Sequence, residues 1–158
     1  MMSSILRVII IMIHPLLAIG ILFWMHKQYQ YRNKRLELRD QVAYNYRAQH
    51  EKSGRRIHRS ALIVTIIGFI SNFIVGFSEN NNYSSLFPSS LHGWFGIIGI
   101  ILLSYIVRSG KIVKSNRESG KAFTYELQKH GRASDLVMML LILHAFLGFI
   151  YLFQLLVF

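Results

Sequence analysis

The chain has no cysteine, only two prolines, and seven acidic residues in 158. Without cysteine there can be no disulfide, no iron–sulfur cluster and no thioether-attached haem. The compartment's redox state therefore cannot be read from the sequence. Carboxylates are not only scarce but absent from the depths of every apolar run; Asp135 stands at the edge of one. A proton-coupled exporter of this size relies on a buried carboxylate whose protonation alters substrate binding. Its absence argues against a small multidrug transporter. No flavin or nicotinamide motif is present either, so any reductase activity would need a separate electron donor.

What the chain does have is oil and positive charge. Hydrophobic residues make up 53% of it, aromatics 13%, and the formal net charge is +11. In a soluble protein that charge would suggest nucleic acid. Its distribution removes the suggestion. All the Lys and Arg residues except Arg7 fall into two polar stretches, 26–60 and 108–133, each lying between apolar runs. The connection 78–90, SENNNYSSLFPSS, carries none. Four apolar runs, at about 5–25, 61–77, 91–107 and 134–158, approach the ~20 residues that a ~30 Å hydrocarbon core demands.

The fold expected is therefore all-α: a single domain over 1–158 forming a polytopic four-helix transmembrane bundle. The positive-inside rule puts both basic stretches on the cytoplasmic or stromal side and both termini on the non-cytoplasmic side. His14-Pro15 interrupts the first run, no small-x-small site follows it, and charge comes after it. An uncleaved first helix fits better than a signal peptide. Residues 36–52 suggest a short interfacial helix, and Asn80 to Asn82 a polar turn.

Seven histidines occur, and ionisable groups within a membrane are expensive and tend to be functional. Two ligands of one metal must stand at the same height. If Arg7 marks the outer boundary, His14 lies about 9 Å deep, and His92, counted from Phe87, about 7 Å deep. On the inner side His58 and His130 each precede an apolar start by three residues, with Arg59 and Arg132 beside them. Alternate helices of a four-helix bundle are diagonal partners, and cofactors sit between facing side chains in its core. Two bis-imidazole sites follow, one near each face, and a flat iron porphyrin is the group that needs such geometry.

Gly93, Gly96 and Gly99 would leave a smooth strip for a macrocycle or a neighbouring helix, and the inner arginines would suit haem propionates. The order outer histidine, basic stretch, inner histidine occurs twice, as in a parallel duplication about an axis along the membrane normal. His144 lies about 21 Å along the helix from His130, on the same face, and is held as a reserve ligand. His26 and His50 read as loop residues.

Plainer readings stand beside these. His58 and His130 could be polar anchors among basic residues, the glycines could serve helix packing alone, and His14 could bond backbone carbonyls freed by Pro15.

The segments IHP, IHRS, LHGWFG and KHG, opening or entering the four helices in turn, resemble the four-helix domain of unknown function 4079 of cyanobacteria and plastids. That family is thought to be related to di-haem cytochromes of the b-561 and ferric-reductase type. The resemblance implies a b-type cytochrome with one or two haem b groups, ligands His14, His58, His92 and His130, and a plasma or thylakoid membrane as its home. Ligands of the better-known b-561 cytochromes lie inside the hydrocarbon, whereas His58 and His130 look interfacial, which favours the outer site.

Two functions are thus open. One is electron transfer through bis-histidine haem. The other is a haem-free or pigment-associated accessory subunit of a larger membrane complex, where one histidine could hold one magnesium. Expected partners are the lipid bilayer and either another membrane protein or a second copy, not nucleic acid.

Overall fold

A computed structural model describes residues 4–34, 40–80, 83 and 87–157. Four long helices, α1 (Ser4–Tyr29), α3 (Asp40–Asn80), α4 (Leu91–Glu118) and α5 (Thr124–Val157), surround a common axis, with a single turn, α2 (Tyr31–Lys34), after the first. All four are long and apolar enough to cross a membrane.

They are also longer than the apolar runs. α3 has 41 residues, roughly 60 Å at 1.5 Å per residue, about twice the hydrocarbon thickness. The stretch read as a loop and a short interfacial helix is, from Asp40 onward, the same helix that spans; residues 35–39 lie outside the described set. Helix-forming Ala, Arg, Gln, Glu and Lys dominate 47–56, with Gly54 the weakest residue and no proline, so nothing breaks the ladder. On the other side of the bundle, α4 and α5 absorb most of 108–133. Their turn is set by Gly120 at φ +67°. Lys121 N–H bonds Asn116 O at 2.8 Å and Gly120 N–H bonds Arg117 O at 3.2 Å, the paired closure that ends a helix on a left-handed residue.

Pro15 sits inside α1 without ending it. At the other end of the bundle Ser90 caps α4, its Oγ accepting from Gly93 N–H at 3.2 Å.

α1 packs on α3 and α4 on α5, while α3·α4 and α1·α5 contacts close the ring. That leaves α1 diagonal to α4 and α3 diagonal to α5. Each long helix contributes one residue to a buried layer: Met25, Ile57, Leu103 and Val137. Each turns a three-four stripe inward, the spacing of knobs-into-holes bundles. In α3 the stripe is His50, Gly54, Ile57, Ala61, Val64, Gly68. In α4 it is His92, Gly96, Gly99, Leu103, Ile106, Gly110.

The outer faces carry Ile63, Ile66, Ile70, Ile101, Met139, Ile142, Phe146 and Phe149, all exposed. So much exposed apolar surface would drive association in water; against lipid it costs nothing. Lipid is as apolar as the core, so helix association here rests on close packing and interhelical hydrogen bonds. Tyr151 donates to Asn72 Oδ1 at 2.9 Å, and Trp24 Nε1–H to Ser53 Oγ at 2.9 Å.

At the basic end, Glu51 receives Lys114 at 3.1 Å and Arg117 at 3.0 Å. Burial alone would raise its carboxyl, but the hydrogen bonds and charges of Arg117 and Lys114 outweigh it and hold Glu51 below the ordinary carboxylate range. A carboxylate depressed in the fold contributes stability above its unfolded pKa and loses it as pH falls through its folded one. Thermal melts of Glu51→Gln in nanodiscs should show a loss of about 1 kcal/mol at pH 7, given the partial solvent exposure of the pairs. The gap from wild type should close as pH drops below about 4.

The paired histidine sites

Three histidines are held in the same way. His14 donates Nδ1–H to the Val64 carbonyl at 2.9 Å, and its ring lies where a Cβ on Gly68 would be, 2.7 Å from Nδ1. His92 donates to the His144 carbonyl at 3.1 Å beside Gly148, whose Cβ would meet its Cε1 at 2.7 Å. His130 donates towards Ile106 O at 3.2 Å beside Gly110, with a built Cβ 3.3 Å from Cε1. In every case the glycine follows the accepting residue by four, one turn along the neighbouring helix. The carbonyl already accepts from that glycine's N–H in the helical ladder, and its second lone pair takes the imidazole. Only a missing side chain lets the ring come so close.

This notch fixes the tautomer. A carbonyl can only accept, so Nδ1 carries the proton and Nε2 keeps its lone pair. At His130 the Ser109 hydroxyl, 3.0 Å from Nδ1, spends its own proton on Ile106 O at 3.0 Å, which leaves the same assignment. Metal-binding histidines commonly use a backbone carbonyl in this way to aim and enrich the other nitrogen. The reading of His14 as a partner for carbonyls freed by Pro15 is corrected: its acceptor is on α3, not on its own helix.

The diagonals bring rings together in pairs. His14 of α1 and His92 of α4 have centroids 5.9 Å apart with planes at 74°. His50 of α3 and His130 of α5 are 6.4 Å apart at 83°. With metal–nitrogen bonds of ~2.0–2.1 Å, imidazoles gripping one metal from opposite sides stand about 6 Å apart centre to centre. Among the described residues no three His, Asp or Glu side chains form a metal cage. A two-ligand arrangement suits a group that brings its own equatorial donors.

The inner pair is not the one read from the sequence. His58 turns to α4, where its Nε2 lies 2.8 Å from Ser104 Oγ. Ser104 donates its proton to Ile100 O at 2.7 Å, so His58 is the donor. His50, read as a loop residue, is on α3 and faces His130, and His26 is within α1, bonded to Gln30 at 2.8 Å. The distinguishing signal is register. His50 is on the inward stripe and His58, next to Ile57, is off it.

His50 differs from the other three in chemistry. Gln28 Nε2 donates both to His50 Nδ1 at 2.9 Å and to His50 O at 2.8 Å. The His50 carbonyl can only accept, so the Gln28 amide presents its NH2 group here; His50 Nδ1 therefore accepts and its proton belongs on Nε2. Its ring stacks on Tyr31 at 4.0 Å.

His144 stacks on His92 at 4.1 Å and 17°. That is too close for iron between them, and its buried Nδ1 has no partner. Gly96 makes room for this ring: a Cβ built on it would stand 3.3 Å from the His144 Cε1. Gly93 instead packs on Pro88, and Gly99 makes ordinary contact with Leu140. Arg59 and Arg132 are exposed.

A cavity of about 300 Å³ opens at the basic end, with His50 and His130 in its wall. Its cations are Arg47, Arg55, Lys111, Lys114 and Arg117 rather than Arg59 or Arg132.

Comparison with family models, with curated proteins and with solved structures finds no match.

Substituting either outer notch glycine should be costly. Gly68→Ala and Gly148→Ala should each lose about 1–3 kcal/mol through overpacking. Gly20→Ala, where a Cβ meets nothing within 4 Å, should be neutral or stabilising. Melting curves of the three variants in one detergent provide the check.

Proposed function

We propose that the chain is an integral membrane b-type cytochrome with one haem b held between His14 and His92. The observation that carries this reading is the outer diagonal pair: two imidazoles at 5.9 Å, each with Nδ1 committed to a carbonyl. Haem, when bound, supplies a one-electron couple. The chain's own residues supply the rest. Val64 and His144 carbonyls hold the proton on Nδ1, Gly68 and Gly148 admit the rings, and the packing of α1 on α3 and of α4 on α5 sets their separation. With no flavin or nicotinamide site in its sequence, the protein would be an electron-transfer component serving separate donor and acceptor proteins.

The inner pair fits iron less well. His130 has the right tautomer, but His50 has its proton on the nitrogen that would have to bind, so a second haem is left out of the proposal. Charge argues for the basic helix extensions on the cytoplasmic or stromal side, with both termini opposite; the plasma or thylakoid membrane is what the family resemblance implies.

Pyridine haemochromogen assays of the purified protein test the assignment. Wild type should carry close to one haem b per chain. His14→Ala and His92→Ala should lose most of it, and His58→Ala should keep it. Gly68→Ala should weaken haem affinity by roughly ten-fold or more, as disturbed outer-shell partners do. Absence of haem from wild type, with the protein recovered in a larger assembly, would favour the accessory-subunit reading instead.

Sidedness has its own test, helped by the absence of native cysteine. Ser119→Cys should react with an impermeant maleimide only from the cytoplasmic or stromal side, and Ser85→Cys only from the opposite one.

A further inference from the structure

The cavity at the basic end is not used by the outer haem. Its floor is the buried layer Met25, Ile57, Leu103 and Val137, one residue from each long helix. Among the described residues five cations and a single carboxylate line it. Glu51 is engaged with Lys114 and Arg117, so among these residues no second lining acid offsets the charge of Arg47, Arg55 and Lys111. Oil beneath and uncompensated positive charge above select an anionic amphiphile. At about 300 Å³ the space is at the small end for ligand pockets, suited to an acyl chain or single ring rather than a macrocycle. Basic pockets between membrane helices on the cytoplasmic side are known to take anionic head groups.

We infer that this cavity binds one anionic amphiphile per chain, an apolar chain under a carboxylate or phosphate. Its apolar part lies on the Met25–Ile57–Leu103–Val137 layer and its head among Arg47, Arg55 and Lys111. The inference does not depend on the haem reading. His130 marks the wall of the pocket and takes no part as a metal ligand.

Gly131 gives a clean probe. It lines the cavity, and a Cβ built on it meets nothing within 4 Å, so a leucine at this position starts from open space at the cavity wall. Full-length protein, wild type, Gly131→Leu and the double variant Arg55→Gln/Lys111→Gln, would be incubated with palmitate, phosphatidylglycerol or phosphatidylcholine. Native mass spectrometry would then count the retained ligand. Wild type should hold one palmitate or one phosphatidylglycerol, and which of them is retained identifies a free acid or a membrane lipid as the source. Both variants should retain at least ten-fold less while melting within a few degrees of wild type, and phosphatidylcholine should not be retained. Equal retention by wild type and variants overturns the inference, as does equal retention of the zwitterionic lipid. So would a bound haem lost in His130→Ala but kept in His14→Ala. Haem loss in His14→Ala and His92→Ala alone bears only on the outer site.

Discussion

An imidazole pressed into a glycine gap, donating to a helical carbonyl one turn away, is the contact on which the rest of this molecule turns. It occurs between α1 and α3, between α4 and α5, and again at His130, and each time one hydrogen bond does two things. It closes two helices to a distance that a β-carbon would forbid, and it decides which ring nitrogen is left with a lone pair. Packing and chemistry are set by the same atoms. In a membrane this matters more than in water, because lipid competes with the core for apolar side chains and close approach has to supply the attraction.

The contact also gives the repeat a physical meaning. His14, Val64 and Gly68 in the first hairpin have the same relation as His92, His144 and Gly148 in the second. The matching carbonyl acceptors are Val64 and His144, so His144 fills the place of an ordinary apolar residue and owes its position to its backbone. Its ring is then an extra group, stacked on His92 and seated over Gly96. The inner end breaks the symmetry. α1 ends at Tyr29, before it can offer a carbonyl and a glycine to His50, and the Gln28 side chain bonds His50 instead. One end of the bundle thereby pairs two imidazoles that each keep an unprotonated Nε2, while the other pairs one such ring with a ring protonated on Nε2, beside an open space.

Much of this was legible in the residues. Four apolar runs and two basic stretches gave the helical membrane bundle, because length and charge act on the whole segment and tolerate error in any one residue. His14 and His92 were brought to one level by counting depth from Arg7 and Phe87, and their rings stand 5.9 Å apart. Depth failed at the basic end, where the helices continue beyond the lipid and no hydrophobic edge marks height. His58 and His50 lie on the same helix near the same boundary, and only register separates them. The stripe through Gly54, Ile57, Ala61, Val64 and Gly68 runs back to His50 and misses His58. The roles of Gly68 and Gly148 were hidden for another reason. Each depends on a partner in a different segment, a pairing that no single periodicity contains.

The most direct test of the central claim is electron paramagnetic resonance of the oxidised, purified protein. Two imidazoles held with planes near 74° should give a strongly anisotropic low-spin ferric signal, replaced by a high-spin one in His92→Ala. A high-spin spectrum in wild type, or a low-spin signal unchanged by removing either His14 or His92, would contradict the account.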